Sequence, residues 1–256
     1  MSEVDDSVLY AREANVGRIT LNRPKKRNAL NDTMIAGLKS VLRKVNGDRD
    51  VRVLVITGSG KDFCSGADLA ALGRILQSSV DINTQDANSL MEMFLLIRQC
   101  EIPVIAAVRG RALAGGCGLA SACDLVLASA SARFGYPEVK IGFVPAMVMA
   151  FLGRNISEKR AFELITLGED ISAAEAHQIG LVNRVFDDET FDQEVTTYVE
   201  RFVKISKSAV SLTKALLYQI EGLAFRDALA TGADVNVIAR MSDDYRKGIS
   251  KFLGKK

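Results

Sequence analysis

Three short apolar runs dominate the first half of this chain: VRVLVIT (51–57), IPVIAAV (102–108) and LVLAS (125–129). They read as buried strands over 51–57, 103–108 and 124–128. Helical patterns lie between them. Asn31 is placed to cap a helix over 32–46, whose apolar positions Met34, Ile35, Leu38 and Leu42 share one face. A second helix is expected over about 87–100, before the strand at 103–108. Strands separated by helices indicate βαβ units and a mostly parallel sheet. Upstream, SVLYAREA and GRITLN read as two strands joined by an Asn-Val-Gly turn. The polar segment 70–86 reads as an irregular, mobile loop.

From about residue 157 the pattern changes. SEKRAFELITLG, SAAEAHQIG, DETFDQEVTTYVERFVKI, SAVSLTKALLYQI and FRDALATGADVNVIARM all carry helical spacing, and only LVNRVF (181–186) looks extended. The chain therefore divides into an α/β core over 1–200 and a helical C-terminal region over 201–256.

Composition narrows the functional classes. A net charge of +2 gives no electrostatic footprint for nucleic acid. The longest apolar stretch, FVPAMVMAFL (143–152), is too short to span a bilayer, and its MVMAFL portion reads mainly as core. The acidic N-terminus MSEVDDSV resembles no targeting segment, so a cytoplasmic location is expected. Four cysteines (64, 100, 117 and 123) include no CxxC pair, and His177 is the single histidine. A structural metal site is not expected, and buried reduced thiols are. His177 reads as a solvated helix position, which removes a histidine-based triad. GSGKDF (58–63) lacks the first glycine and the Ser/Thr of a phosphate loop, and Gly115, Gly116 and Gly118 do not give dinucleotide-binding spacing.

What remains are two loop-to-helix junctions after parallel-type strands, CSGADL (64–69) and AGGCGL (114–119). The first N–H groups of a helix have no intrahelical acceptor and carry the positive end of its dipole. Glycine allows close approach to the main chain. One N–H from each junction could bracket a single carbonyl oxygen, which is the layout of an oxyanion hole.

LNRPKKRNALN (21–31), DFCSGADL (62–69), GRALAGGCGLASACD (110–124), FGYPEVKIGFVP (134–145) and SAAEAHQIGLVNRV (172–185) follow one another in the order of the crotonase, or enoyl-CoA hydratase/isomerase, superfamily, which the chain resembles over nearly its whole length. The resemblance implies a crotonase-like spiral of ββα units with a helical trimerisation region, assembled as a homotrimer or a dimer of trimers. It implies acyl-CoA thioesters as ligands, with coenzyme A part of the substrate and no separate cofactor. Motif matching makes the N–H groups of Ser65 and Gly115 the oxyanion donors and Glu138 the acid–base residue. It sets the backbone of Lys26 and Arg27, and the segment Ser65, Gly66, Ala67 and Asp68, beside the coenzyme. Lys25, Lys61, Phe252 and Lys255 could reach its adenine or phosphates.

Two-glutamate hydratases of the family carry a glutamate at the position of Gly118. Here that acid is missing, and residues 139–157 contain no Asp or Glu that could serve as a nucleophile. Three readings stay open: a hydratase using Glu138 alone, a Δ3,Δ2-enoyl-CoA isomerase, and a weakly catalytic acyl-CoA-binding paralogue.

Overall fold

A computed structural model describes residues 6–254. Strands β1 (Val8–Glu13) and β2 (Val16–Leu21) form an antiparallel hairpin. After α1 (Asp32–Asn46), β3 (Val53–Gly58) pairs parallel with β2. Helices α2 (Leu69–Ile75) and α3 (Val80–Gln99) lead to β4 (Val104–Val108), β5 (Arg111–Leu113) and α4 (Gly115–Ala122). Next come β6 (Leu125–Ser129), β7 (Arg133–Gly135), a 3-10 turn at Pro137–Ile141, α5 (Met149–Asn155) and α6 (Glu158–Leu167). The chain continues through β8 (Ile171–Ser172), α7 (Ala173–Gln178), β9 (Arg184–Phe186) and α8 (Phe191–Val203). It ends in α9 (Lys207–Gln219), α10 (Phe225–Met241) and α11 (Asp243–Leu253).

The main sheet has the order β1-β2-β3-β4-β6-β9 and is parallel from β2 onward. A smaller sheet, β5-β7-β8, lies beside it. Each pass therefore runs from a long strand of the main sheet, through a short extended piece in the second sheet, into a helix. An isolated parallel bridge between Cys64 and Ala112 brings the segment after β3 into the same series. This is the expected spiral of ββα turns.

The apolar runs are continuous because both sheet faces are covered. Leu54, Ile56, Val104, Ala106, Val126 and Ala128 belong to the larger core, with α1, the end of α3, and α4. Val53, Val55, Ile105, Ala107 and Leu127 face the other way, against Phe191, Val195 and Val199 of α8. Helix α8 crosses residue 200 and ends at Val203.

Three local expectations are corrected. The hairpin turn falls on Ala14 and Asn15, with Ala14 at φ 50°, while Val16 and Gly17 already pair with Glu13 and Arg12. The segment 70–86 holds most of α2 and the start of α3, joined by a turn at 76–79: Asp68 caps α2 by accepting from Ala70 N–H, and Ser79 caps α3 by accepting from Ile82 N–H. Periodicity missed it because the buried face of α3 is confined to Met93, Phe94 and Ile97, near its C-terminal end. The extended piece of LVNRVF is only Arg184–Phe186.

The helix over 32–46 forms as expected, with Asn31 accepting from Met34 N–H. All four cysteines are free and buried. Burial pushes the Cys64 and Cys117 thiols up to about 12. His177 is exposed, its Nδ1 2.8 Å from the Val182 carbonyl oxygen.

Candidate active site

The site is assembled from three loops. In the first, Arg27 and Asn28 both adopt left-handed backbone (φ 51° and 54°). The buried Asn28 amide donates to the carbonyls of Ser59 and Asp62, at 2.9 and 2.8 Å, and accepts from Arg23 N–H at 2.9 Å. Loop 22–31 is thereby pinned to the loop that follows β3. The two then pair as a short extended ladder, with Ser65 N–H on the Arg27 carbonyl (3.0 Å), Leu30 N–H on Gly66 (2.7 Å) and Asp68 N–H on Leu30 (2.8 Å).

This register corrects the donor expected from the motif. The Ser65 N–H is already taken by Arg27, so Ser65 is not a free oxyanion donor. Among the described residues, the backbone N–H without an acceptor beside the Gly66 turn is that of Ala67, an exposed position.

The second junction meets the first at Gly66 and Gly115. Gly66 has φ 93°, and a Cβ built on it would lie 3.3 Å from Gly115 N. Gly115 opens α4, and its N–H has no acceptor among the described residues. Preceding it, Ala114 is held at φ 50°, ψ −129°, a region costly for a residue with a Cβ. A Cβ on Gly116 would fall well inside 3.0 Å of the Cys64 carbonyl oxygen. Gly116 is therefore required by the approach of one backbone to another.

Glu138 sits on the 3-10 turn after β7, half-buried, with burial raising its carboxyl above the ordinary glutamate value. Its Oε2 is buried and has no hydrogen-bond partner among the described residues. It lies near enough to Cys117 of α4 and to Tyr136 for its charge to raise both groups. Tyr136 is itself fixed, its hydroxyl 2.9 Å from Ser121 Oγ, and Ser121 Oγ donates to the Cys117 carbonyl at 2.8 Å.

The Gly118 position is closed as well as empty of an acid. A Cβ there would lie well inside 3.0 Å of Val148 Cγ1 and 3.5 Å from Phe94 Cζ. In the MVMAFL run Val148 and Leu152 are buried and Met147 and Phe151 pack against the core, while Met149 and Ala150 are exposed, so the run is only partly core. Nothing in the sequence pairs Val148 with Gly118, because thirty positions and the strands β6 and β7 separate them.

The remaining expected contacts divide. Lys25, Lys26, Arg27 and Lys61 are exposed on the loops around the first junction. Asp68 is turned inward: it caps α2 and accepts from Arg23 Nη2 at 2.7 Å, and this bond holds its carboxyl below the usual range. Its carboxylate is committed to the scaffold rather than to a ligand. Phe252 is 73% exposed on α11, which packs on α9 and α10. Lys255 lies outside the described residues. Among the described residues, no group of three or more His, Cys, Asp or Glu side chains could hold a metal ion, and no helix is long and apolar enough to cross a membrane.

A spiral of ββα turns with two glycine-rich junctions that meet, and a half-buried glutamate on the turn after β7, is a crotonase-type scaffold, and the comparisons agree. The enoyl-CoA hydratase/isomerase family profile matches residues 11–256. A crotonyl-CoA hydratase of Syntrophomonas wolfei is 35% identical over 254 residues, covering 98% of this chain and 96% of that one. A 2,3-dehydroadipyl-CoA hydratase of Escherichia coli is 32% identical over 250 residues, covering 97% and 96%. The crystal structure of an enoyl-CoA hydratase from Mycobacterium smegmatis is 33% identical, with a TM-score of 0.93 over 98% of this chain and 97% of that one. The chain belongs to the enoyl-CoA hydratase/isomerase family.

Proposed function

We propose that the protein hydrates 2-enoyl-CoA thioesters, with the thioester oxygen between the Ala67 and Gly115 amides and Glu138 as the only acid–base group. Glu138 takes a proton from water as the water oxygen bonds to C3. The C2–C3 π electrons move toward the carbonyl, and both amides donate to the enolate oxygen. Glu138 then returns the proton to C2 and is a carboxylate again. Removing one such amide typically costs ~10²–10³ in kcat. The observation carrying the reading is Glu138 Oε2, buried and without a hydrogen-bond partner among the described residues, near Cys117 of α4. Its desolvation favours proton exchange nearer neutral pH. The names of the two curated relatives support an enoyl-CoA substrate. Lys25, Lys26, Arg27 and Lys61 supply positive charge for the coenzyme phosphates.

A second reading is favoured by one observation: Val148 fills the space where a second acid would help to hold water. Under it, Glu138 removes a proton from C2 of a 3-enoyl-CoA and returns it to C4. Crotonyl-CoA and 3-hexenoyl-CoA separate the two. Loss of the conjugated enoyl absorbance from the first means hydration, and its appearance from the second means isomerisation. Silence on both, with CoA-thioester binding retained in calorimetry, identifies a binding paralogue and refutes both.

We also take α10 and α11, whose exposed apolar side chains include Phe225, Leu229, Met241 and Phe252, as part of a subunit interface of a homotrimer or dimer of trimers. The exposure of these large apolar side chains supports it.

A further inference from the structure

Two residues outside the expected site join the junctions at the end away from the free amides. Asp62, on the loop after β3, is nearly buried. It accepts three hydrogen bonds from Arg111, the first residue of β5. The Arg111 backbone N–H and Nε both reach Oδ1, at 3.1 and 2.8 Å, and Nη2 reaches Oδ2 at 3.0 Å. Between this pair and the site, the two segments form a two-bond ladder. Cys64 N–H donates to the Arg111 carbonyl and Leu113 N–H to the Cys64 carbonyl, both at 3.0 Å. Gly110 has φ 58°, and a Cβ there would strike the Lys61 carbonyl oxygen, so the backbones touch at this end. The ladder leads to Ala67 on one side and Gly115 on the other.

The pair is more than a surface ion pair: Arg111 is 40% exposed but Asp62 only 8%, so breaking it costs some stability. The fully buried Phe63, Cys64 and Ala112 anchor both segments in the core independently of it. Beyond that stability, the pair supplies geometry. A planar guanidinium bonded to both oxygens of one carboxylate, with the backbone N–H of the same residue on that carboxylate, fixes both distance and angle.

We propose that Asp62 and Arg111 are positioning residues for the two amides, setting the separation and direction of the Ala67 and Gly115 N–H groups without touching substrate. This rests on the thioester reading above. An amide misplaced by a fraction of an ångström loses part of its hold on the developing oxyanion while ground-state binding through the coenzyme is kept.

The test uses the full chain and butyryl-CoA labelled with carbon-13 at the thioester carbonyl, a saturated ligand that cannot be hydrated. Its carbonyl infrared band should move to lower frequency on binding to the wild type. A band unmoved on binding would refute the paired-amide reading itself, before any variant is made. In Arg111→Gln and Asp62→Asn the downshift should shrink while butyryl-CoA affinity holds within about threefold. Turnover of the enoyl substrate should lose ~10–100-fold in kcat with KM little changed, as for other small misplacements of catalytic groups. Arg111→Lys, with charge but no fork, should fall between. Adding Asp62→Asn to Arg111→Gln should cause no further loss, because both break one unit. A downshift and kcat within about twofold of wild type in Arg111→Gln would overturn the proposal. So would a kcat loss matched by equal loss of butyryl-CoA binding. If Asp62→Asn does not fold, the half-exposed Arg111 variants decide the question alone.

Discussion

The closed position at Gly118 gives the sharpest quantitative prediction. In Gly118→Ala the new methyl meets Val148 Cγ1 well inside 3.0 Å. Gly118 lies inside α4 with ordinary helical backbone, so alanine also gains ~1 kcal/mol of helix propensity. Overpacking a close-packed core costs about 1–3 kcal/mol. The net destabilisation is therefore about 0–2 kcal/mol. Val148→Ala removes two methyl-sized groups from a buried side chain, about 1.6 kcal/mol at ~0.8 kcal/mol each, before any cavity cost. In the double variant the added methyl enters the space that Val148 vacated. The overlap disappears, the propensity gain remains, and part of the cavity is refilled. Gly118→Ala should then stabilise the Val148→Ala protein by ~1 kcal/mol or more. The coupling between the two changes should thus be about 1–3 kcal/mol. Urea unfolding of all four proteins, at one subunit concentration because assembly adds to apparent stability, gives this cycle directly. Additivity within ~0.5 kcal/mol would refute the contact, and with it the claim that Val148 keeps an acid out of this position.

Other outcomes follow from the same site. Gly118→Glu alone should be poorly folded, whereas Gly118→Glu with Val148→Ala should fold and raise crotonyl-CoA hydration at least ~10-fold, a modest share of what acid–base groups usually supply; an unchanged rate means a second acid was not limiting. Glu138→Gln should lose ~10²-fold or more in turnover, and near-normal kinetics would remove Glu138 from the chemistry. The same variant has a pH signature. Burial raises the folded-state pKa of Glu138 above its unfolded value, so the folded protein holds that proton more tightly. Its stabilising contribution is complete below the unfolded value near ~4.3 and is lost as pH rises through the folded one. Glu138→Gln should therefore match wild type at about pH 4 and exceed it at about pH 8 in thermal unfolding; the reverse order would show a carboxylate stabilised by an unseen partner. Ala114→Gly relieves a left-handed backbone costing ~1–3 kcal/mol against a glycine penalty of ~0.5–1 kcal/mol, and a melting temperature at or above wild type is expected; a clear fall would mean that Ala114 is not strained.

Much of the fold was legible before any coordinates. Strands 51–57, 103–108 and 124–128, the Asn31 cap and the change to helices after about 157 are carried by neighbours in sequence, since burial period and capping act over a few residues. The order of the glycine-rich motifs likewise located both junctions and Glu138. Local signals failed where local forces are weak. The first half of α3 has no buried stripe, so nothing periodic marks it. The hairpin turn lies one residue upstream of its expected start because cross-strand register, rather than turn composition, places it.

What the amino-acid order alone determined is the succession of elements and the chemistry available: one glutamate in YPEV, no acid at Gly118, and two junctions able to offer backbone donors. Tertiary structure decided which donor is free and which space is filled. Ser65 loses its N–H to Arg27, thirty-eight positions earlier, and Ala67 keeps its own. Val148 occupies the room beside Gly118. Asp68 is drawn inward by Arg23, while Asp62 and Arg111 close the ladder between the junctions. Each of these is a pairing between segments distant in the chain. Hydrogen-bond register and steric exclusion across such pairs depend on how the layers stack, and no short-range pattern encodes that stacking.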